Sequence, residues 1–223
     1  MDWLHGLTGS AIAIYGISAV NANEWINVGI GLLWSIIGTF ILGYIITKLL
    51  KKFLSKVKDK IISNFQVAGM CAMSFMHGAQ DGQKFIGILI IYNYIVKGLS
   101  VPDIIVPMEH ICTILFVAIV MFIGVSIGGE KIVQNIGSNV TNLNNKQALC
   151  SDIATSITLL IASLNGIPVS TTHVKTMSII GVGKSDKSSV SKKSVIQIIE
   201  AWVLTFPVCL IVSFVLAKLF MKF

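Results

Sequence analysis

Three long, predominantly apolar runs, residues 26–50, 104–129 and 194–220, decide what this chain can fold into. Each exceeds the roughly 20 residues that a helix rising ~1.5 Å per residue needs to cross ~30 Å of hydrocarbon. With 54% of its 223 residues hydrophobic and 12% charged, the chain does not divide into a soluble core and a polar surface. The expected class is an all-α, polytopic, multi-pass protein of the cell membrane, because in lipid every backbone N–H and C=O must find its partner inside the helix.

Charge supports that reading. The formal net charge of +7 does not point to nucleic acid, since all 17 basic residues are lysines that lie mainly between the apolar runs. Lys48, Lys51, Lys52, Lys56, Lys58 and Lys60 crowd one connection, and Lys184, Lys187, Lys192 and Lys193 crowd another. The positive-inside rule places both connections in the cytoplasm, beside the headgroups of membrane lipid. Cys71, Cys112, Cys150 and Cys209 lack C-x-x-C spacing and predict neither a zinc site nor a disulfide framework. Asp2 stands where a signal peptide would carry basic residues, so no cleavable leader is expected.

The order of segments predicts the organisation. A short run at 3–20, just able to span, precedes a polar turn at 21–24. The long run at 65–96 is interrupted by the polar string 77–84, which predicts one crossing made of two half-helices. The 104–129 helix then crosses back into an Asn-rich loop at 130–146, and the run 147–183 is broken at 165–168. If both Lys-rich connections share one side, the crossings between them are even in number, so the segment with Pro168 at its tip is a re-entrant hairpin. Two breaks at membrane depth predict a shared polar site, as in secondary transporters built of repeats. His173, Thr176, Ser178 and Ile180 repeat the spacing of His5, Thr8, Ser10 and Ile12. The predicted division is 1–50 for the end of a first repeat and the helix after it, 51–63 for the Lys-rich connection, and 64–223 for a second repeat.

Two constellations carry chemistry. Asp81 is a carboxylate at bilayer depth, which costs several kcal/mol unless it is paired, hydrated or bound to a cation. Gln80 and Gln83 offer amide oxygens beside it, and Gly78 and Gly82 let carbonyls turn inward, a set suited to a hard cation. The alternative is that Asp81 caps the second half-helix or pairs with Lys84. Pro168 is expected at the first helical position of a new helix, whose free N–H groups, with the Ser170, Thr171 and Thr172 hydroxyls, make an oxyanion site. The alternative there is an ordinary helix start with hydroxyls bonded back to the helix. His77 and His173 are packing residues or proton relays, Lys84 faces the anion or neutralises Asp81, and Asp152, next to Ser151, is a second cation ligand. A hydrolase built on Ser170 and His173 is disfavoured, since three residues apart at a helix start they have no oriented base, so no enzyme is expected.

The string from Pro168 to His173, P-V-S-T-T-H, with S-I-I-G-V-G at 178–183, resembles the PiT or Pho4 family of inorganic phosphate transporters. So does H-G-A-Q-D-G-Q-K-F-I-G at 77–87, which is similar to that family's H-G-x-N-D-A-Q-K motif. The resemblance implies an inverted-repeat fold, symport of phosphate or sulfate with sodium or protons, and cation or substrate roles for Asp81, Gln83, Ser170, Thr171 and Thr172. Gln80 replaces the family's usual Asn, Gly82 its common Ala, and Asp152 its usual Glu. The resemblance implies that of a first repeat only the tail of its hairpin, from His5 onward, is represented. The expected function is therefore cation-coupled phosphate symport by a half-transporter, completed by an N-terminal half chain or a homo-oligomer. The alternatives are a sulfate permease and a non-transporting remnant or assembly subunit.

Overall fold

A computed structural model describes residues 2–101, 107–139, 143–186 and 190–222. The expected helix start at 104–106, positions 140–142 of the expected Asn-rich loop and Lys187 lie outside the described residues. Seven α-helices account for most of the described chain: α1 (Asp2–Tyr15), α2 (Ala22–Leu54), α3 (Asp59–Val96), α4 (Ile111–Asn139), α5 (Asn145–Leu164), α6 (Thr171–Ser185) and α7 (Lys192–Phe220).

Four helical stretches, Ala22–Leu54, Met108–Gly128, Asn145–Leu164 and Lys192–Phe220, are long and apolar enough to cross a membrane. Their outward faces carry exposed large apolar residues such as Ile30, Leu33 and Ile37 on α2 and Phe116, Ile119 and Ile123 on α4. In a bilayer those faces meet lipid. The 14 residues of α1 rise only about 21 Å, too short to span alone. Asn21 caps α2 by accepting from Asn23 N at 3.0 Å, so most of the expected polar turn is already helix. Likewise α4 continues through Asn139, well into the stretch expected to be an Asn-rich loop. The Lys-rich connection is also shorter than expected, because α2 runs to Leu54 and α3 begins at Asp59.

Small residues set the helix packing. Gly31, Ser35, Thr39, Gly43 and Thr47 recur every fourth position on α2 and are all buried. That stripe lets α6 and α5 lie close, which matters in lipid, where packing replaces the hydrophobic effect as the force between helices. A methyl group at Gly181 would collide with the Phe40 carbonyl, and one at Gly43 would stand 2.8 Å from Ser178 O. Thr39 and Thr158 add an interhelical hydroxyl contact of 3.1 Å. Elsewhere α1 packs along α7, α3 along α5, and α4 along α3.

Polar contacts gather four helix ends at one end of the bundle. Lys51, in the last turn of α2, donates to Asp186 at 2.5 Å, and Gln147, in the first turn of α5, donates to the other oxygen of Asp186 at 2.5 Å. Lys146 approaches Asp59 at the start of α3 to 3.6 Å. The two Lys-rich connections therefore lie on one side, and α5 and α6 form a hairpin that returns to the end it left. The hydrogen bond from Lys51, assisted by that from Gln147, holds the Asp186 carboxyl below the usual carboxylate range.

Candidate functional site

The polar string of α3 does not break the helix. All 38 residues from Asp59 to Val96 are α-helical, correcting the expectation of two half-helices. The physical reason is in the spacing: positions 77, 80, 81 and 84 are i, i+3, i+4 and i+7, neighbours on one helical face. A continuous helix satisfies its own backbone and turns His77, Gln80, Asp81 and Lys84 toward the hairpin. Gly78 and Gly82 each cost about 1 kcal/mol relative to Ala, which a helix this long tolerates.

The second expected break is real. Asn165 ends α5, Gly166 adopts φ of +64°, Ile167 N reaches back to Ala162 O at 2.9 Å, and Gly166 N to Ser163 O at 3.3 Å. This is the Schellman arrangement, in which a left-handed glycine closes the helix. Pro168 lies two residues before the next cap, not at the first helical position expected of it. Ser170 is the cap of α6, its Oγ accepting from His173 N at 3.4 Å. Irregular backbone at this depth needs partners, and α3 supplies them. Gln80 Nε2 donates to Ile167 O at 3.1 Å and Lys84 Nζ to Val169 O at 2.9 Å.

Around that tip lies a cavity of about 320 Å³, lined by Asp81, Lys84, Ser170, Thr171, Thr172 and His173, and walled by the aromatic rings of Trp3, Phe85, Trp202 and Phe206. Asp81 is held from three directions: Lys84 Nζ donates to Oδ1 at 2.8 Å, Thr171 Oγ1 donates to Oδ2 at 3.3 Å, and His77 Nε2 stands 3.5 Å from Oδ2. Lys84, its side chain 9% exposed, thus both neutralises Asp81 and lines the cavity. An ammonium has three donors, and the two bonds described leave one for a ligand. The Trp3 indole Nε1 is buried with no hydrogen-bond partner among the described residues. His173 stacks on Trp202 with ring centroids 3.8 Å apart.

Other expected site residues lie elsewhere. Gln83 is exposed and lines no part of the cavity, because it sits more than a quarter-turn from the face that carries Asp81 and Lys84. Gln80 is buried as a strut, its amide nitrogen on Ile167 O and its oxygen accepting from Ser163 Oγ at 2.5 Å. Asp152 does not join Asp81. It pairs instead with Lys175 of α6 at 2.5 Å and accepts from Gln66 Nε2 of α3 at 3.3 Å. Lys175 was overlooked by the sequence reading, although a lysine four residues after Thr171 in a transmembrane run carries the same signal as Asp81.

The apolar helices define a multi-pass membrane protein, with a polar cavity at the hairpin tip. Residues 55–213 match the model of the phosphate transporter family, PHO4, and the chain belongs to that family. It is 32% identical over 209 residues to a Bacillus subtilis protein named "Probable low-affinity inorganic phosphate transporter", covering 91% of this chain and 61% of that protein. A Rhizobium meliloti protein of the same name is 30% identical over 213 residues, with 93% and 63% covered. The chain thus spans a little over three fifths of each of these relatives. A solved structure described as "The sodium-dependent phosphate transporter" shares the fold, with TM-score 0.81 at 20% identity over 98% of this chain and 72% of that one.

Proposed function

We propose that this chain takes part in cation-coupled symport of inorganic phosphate across the membrane. The observation that carries the reading is the meeting of Asp81, Lys84 and Thr171 at the start of α6 inside one cavity. The relatives' names supply the substrate, and the name of the structural neighbour supplies sodium as the first coupling ion to test.

The first turn of α6 presents the N–H groups of Thr171 and Thr172, and a helix start favours anions. The Thr172 hydroxyl and the remaining Lys84 donor complete a set suited to a tetrahedral oxyanion, and the Thr171 hydroxyl joins it when its hydrogen leaves Asp81. A water occupies about 30 Å³ of liquid, so the cavity has room for such an anion with part of its hydration. Alone, the carboxylate of Asp81 repels the anion. A sodium ion or proton taken up at Asp81 removes that repulsion and frees Lys84 toward the phosphate, so the two ligands bind better together than apart.

The pairing of α1 with α7 and of α6 with α2 supports an inverted repeat, and the open side of the cavity is suited to closure by a first-half chain or a second copy. Uptake of labelled phosphate into liposomes, with the chain alone and with a candidate first half, tests the reading. Sulfate supplied as competitor tests the substrate. No uptake of either anion under any cation gradient, with the chain folded and its partner present, would overturn it.

A further inference from the structure

The Asp152 cluster lies outside the cavity and its charges are used by nothing described so far. Asp152 is 2% exposed, and both of its oxygens have donors, Lys175 Nζ on Oδ1 at 2.5 Å and Gln66 Nε2 on Oδ2 at 3.3 Å. The Lys175 ammonium also donates to Ser151 Oγ at 3.2 Å. Ser178 Oγ fixes that serine by donating to its carbonyl at 2.8 Å, and the two hydroxyl oxygens lie 2.8 Å apart. Ser151 and Ser178 are fully buried, so the group of oxygens is built into the α5–α6 interface.

A carboxylate in such a place needs a positive charge beside it. Nature has two ways of providing one: a mobile hard cation held by oxygen ligands, or an ammonium held by the same ligands. Both are monovalent and both seek oxygen. Lys175 reaches the carboxylate and hydroxyl from one turn beyond Thr171, with its side chain 21% exposed.

We infer that Lys175 is a tethered cation: its ammonium fills, at Asp152 and Ser151, with Ser178 bracing the serine, a site that would otherwise take a free sodium ion. The native chain therefore binds no sodium there. On the transport reading above, one cation of the cycle is covalently attached and the sodium response resides at Asp81 alone. Only that consequence depends on the reading; the occupancy of the site does not.

The test removes the tether. The purified full chain, Lys175→Met, and Lys175→Met with Asp152→Asn are unfolded thermally in detergent, in sodium chloride or N-methyl-D-glucamine chloride at equal ionic strength. Each is also made in the Asp81→Asn background, so that sodium at the cavity does not enter and no transport is needed. Lys175→Met is expected to gain a sodium-specific rise in Tm of several degrees, because a ligand that binds only the folded state stabilises it. The double change should lose that gain. Recovery of Lys175→Met from membranes in sodium and not in N-methyl-D-glucamine is the same result in stronger form. A folded Lys175→Met indifferent to sodium overturns the inference, and so does its loss in both salts, since a vacated site would accept sodium. A sodium response of the Asp81→Asn chain that Asp152→Asn abolishes also overturns it.

Discussion

Lys84 bridges α3 and the hairpin tip: its ammonium lies 2.8 Å from Asp81 on its own helix and 2.9 Å from the carbonyl of Val169. One residue thereby ties the charge balance of the cavity to the position of the hairpin. A ligand that draws Lys84 away from Asp81 also alters what holds the tip.

Asp81→Asn keeps the shape of the side chain and removes the charge that Lys84, Thr171 and a coupling cation share. The Asp81 side chain is 28% accessible, so solvent screens the pair in part. A lost hydrogen bond to a charged group costs about 1.5–3 kcal/mol, and cation-dependent phosphate uptake should fall roughly tenfold or more. Unchanged uptake with unchanged cation dependence would remove Asp81 from the mechanism.

Two glycine substitutions test the helix packing: Gly78→Ala asks whether α3 is continuous, and Gly181→Ala whether α6 lies close against α2. A Cβ at Gly78 meets nothing within 4 Å, so Gly78→Ala should stabilise the chain by about 0.5–1 kcal/mol. A Cβ at Gly181 runs into the Phe40 backbone, so Gly181→Ala should destabilise by about 1–3 kcal/mol. Tm in detergent measures both, and a loss of stability in Gly78→Ala would indicate a turn at that glycine.

Ser170→Ala removes the side chain that caps α6. The expected loss is about 1 kcal/mol, a drop of roughly 2–4 °C in Tm for a chain of this size. Ser170→Asp, which also caps, should recover the stability while opposing the anion, so phosphate uptake and Tm should part company in that variant.

The link between Lys51 and Asp186 predicts a pH dependence. Because the folded carboxyl titrates below its ordinary value, the link stabilises the fold above the unfolded pKa of about 3.9 and is lost as pH falls through the folded one. Lys51 is largely exposed, with 65% of its side chain accessible, so solvent screening limits the gain to about 0.2–1 kcal/mol. Lys51→Ala should therefore unfold slightly earlier than the parent at pH 7, and the difference should vanish in strong acid.

The connection between α2 and α3 should be reachable only from the cytoplasm, as its lysines predict. A cysteine introduced at Lys56 in a cysteine-free background should resist an impermeant thiol reagent applied to intact cells and react once the membrane is opened. Labelling from outside would invert the topology.

The membrane class, the hairpin and the shared side of the two Lys-rich connections were legible in the sequence, because run lengths and lysine placement reflect the bilayer directly. The Asn165–Gly166–Ile167–Pro168 break was legible for the same reason: a left-handed glycine followed by proline leaves a helix little choice. The polar string of α3 misled because polarity was read as interruption, when a period of three and four residues marks a face. Helix rotation also decided Gln83, which neighbours Lys84 in sequence and points elsewhere in space. Lys175 and its bond to Asp152 join residues 23 apart across two helices, a relation that appears only once the hairpin is closed.

The strut from α3 to the hairpin tip has a mechanical meaning. Gln80 and Lys84, one turn apart on α3, grip two carbonyls of the irregular backbone, those of Ile167 and Val169. Sliding the tip along α3 would break both bonds at once, so these contacts favour hairpin and helix travelling together.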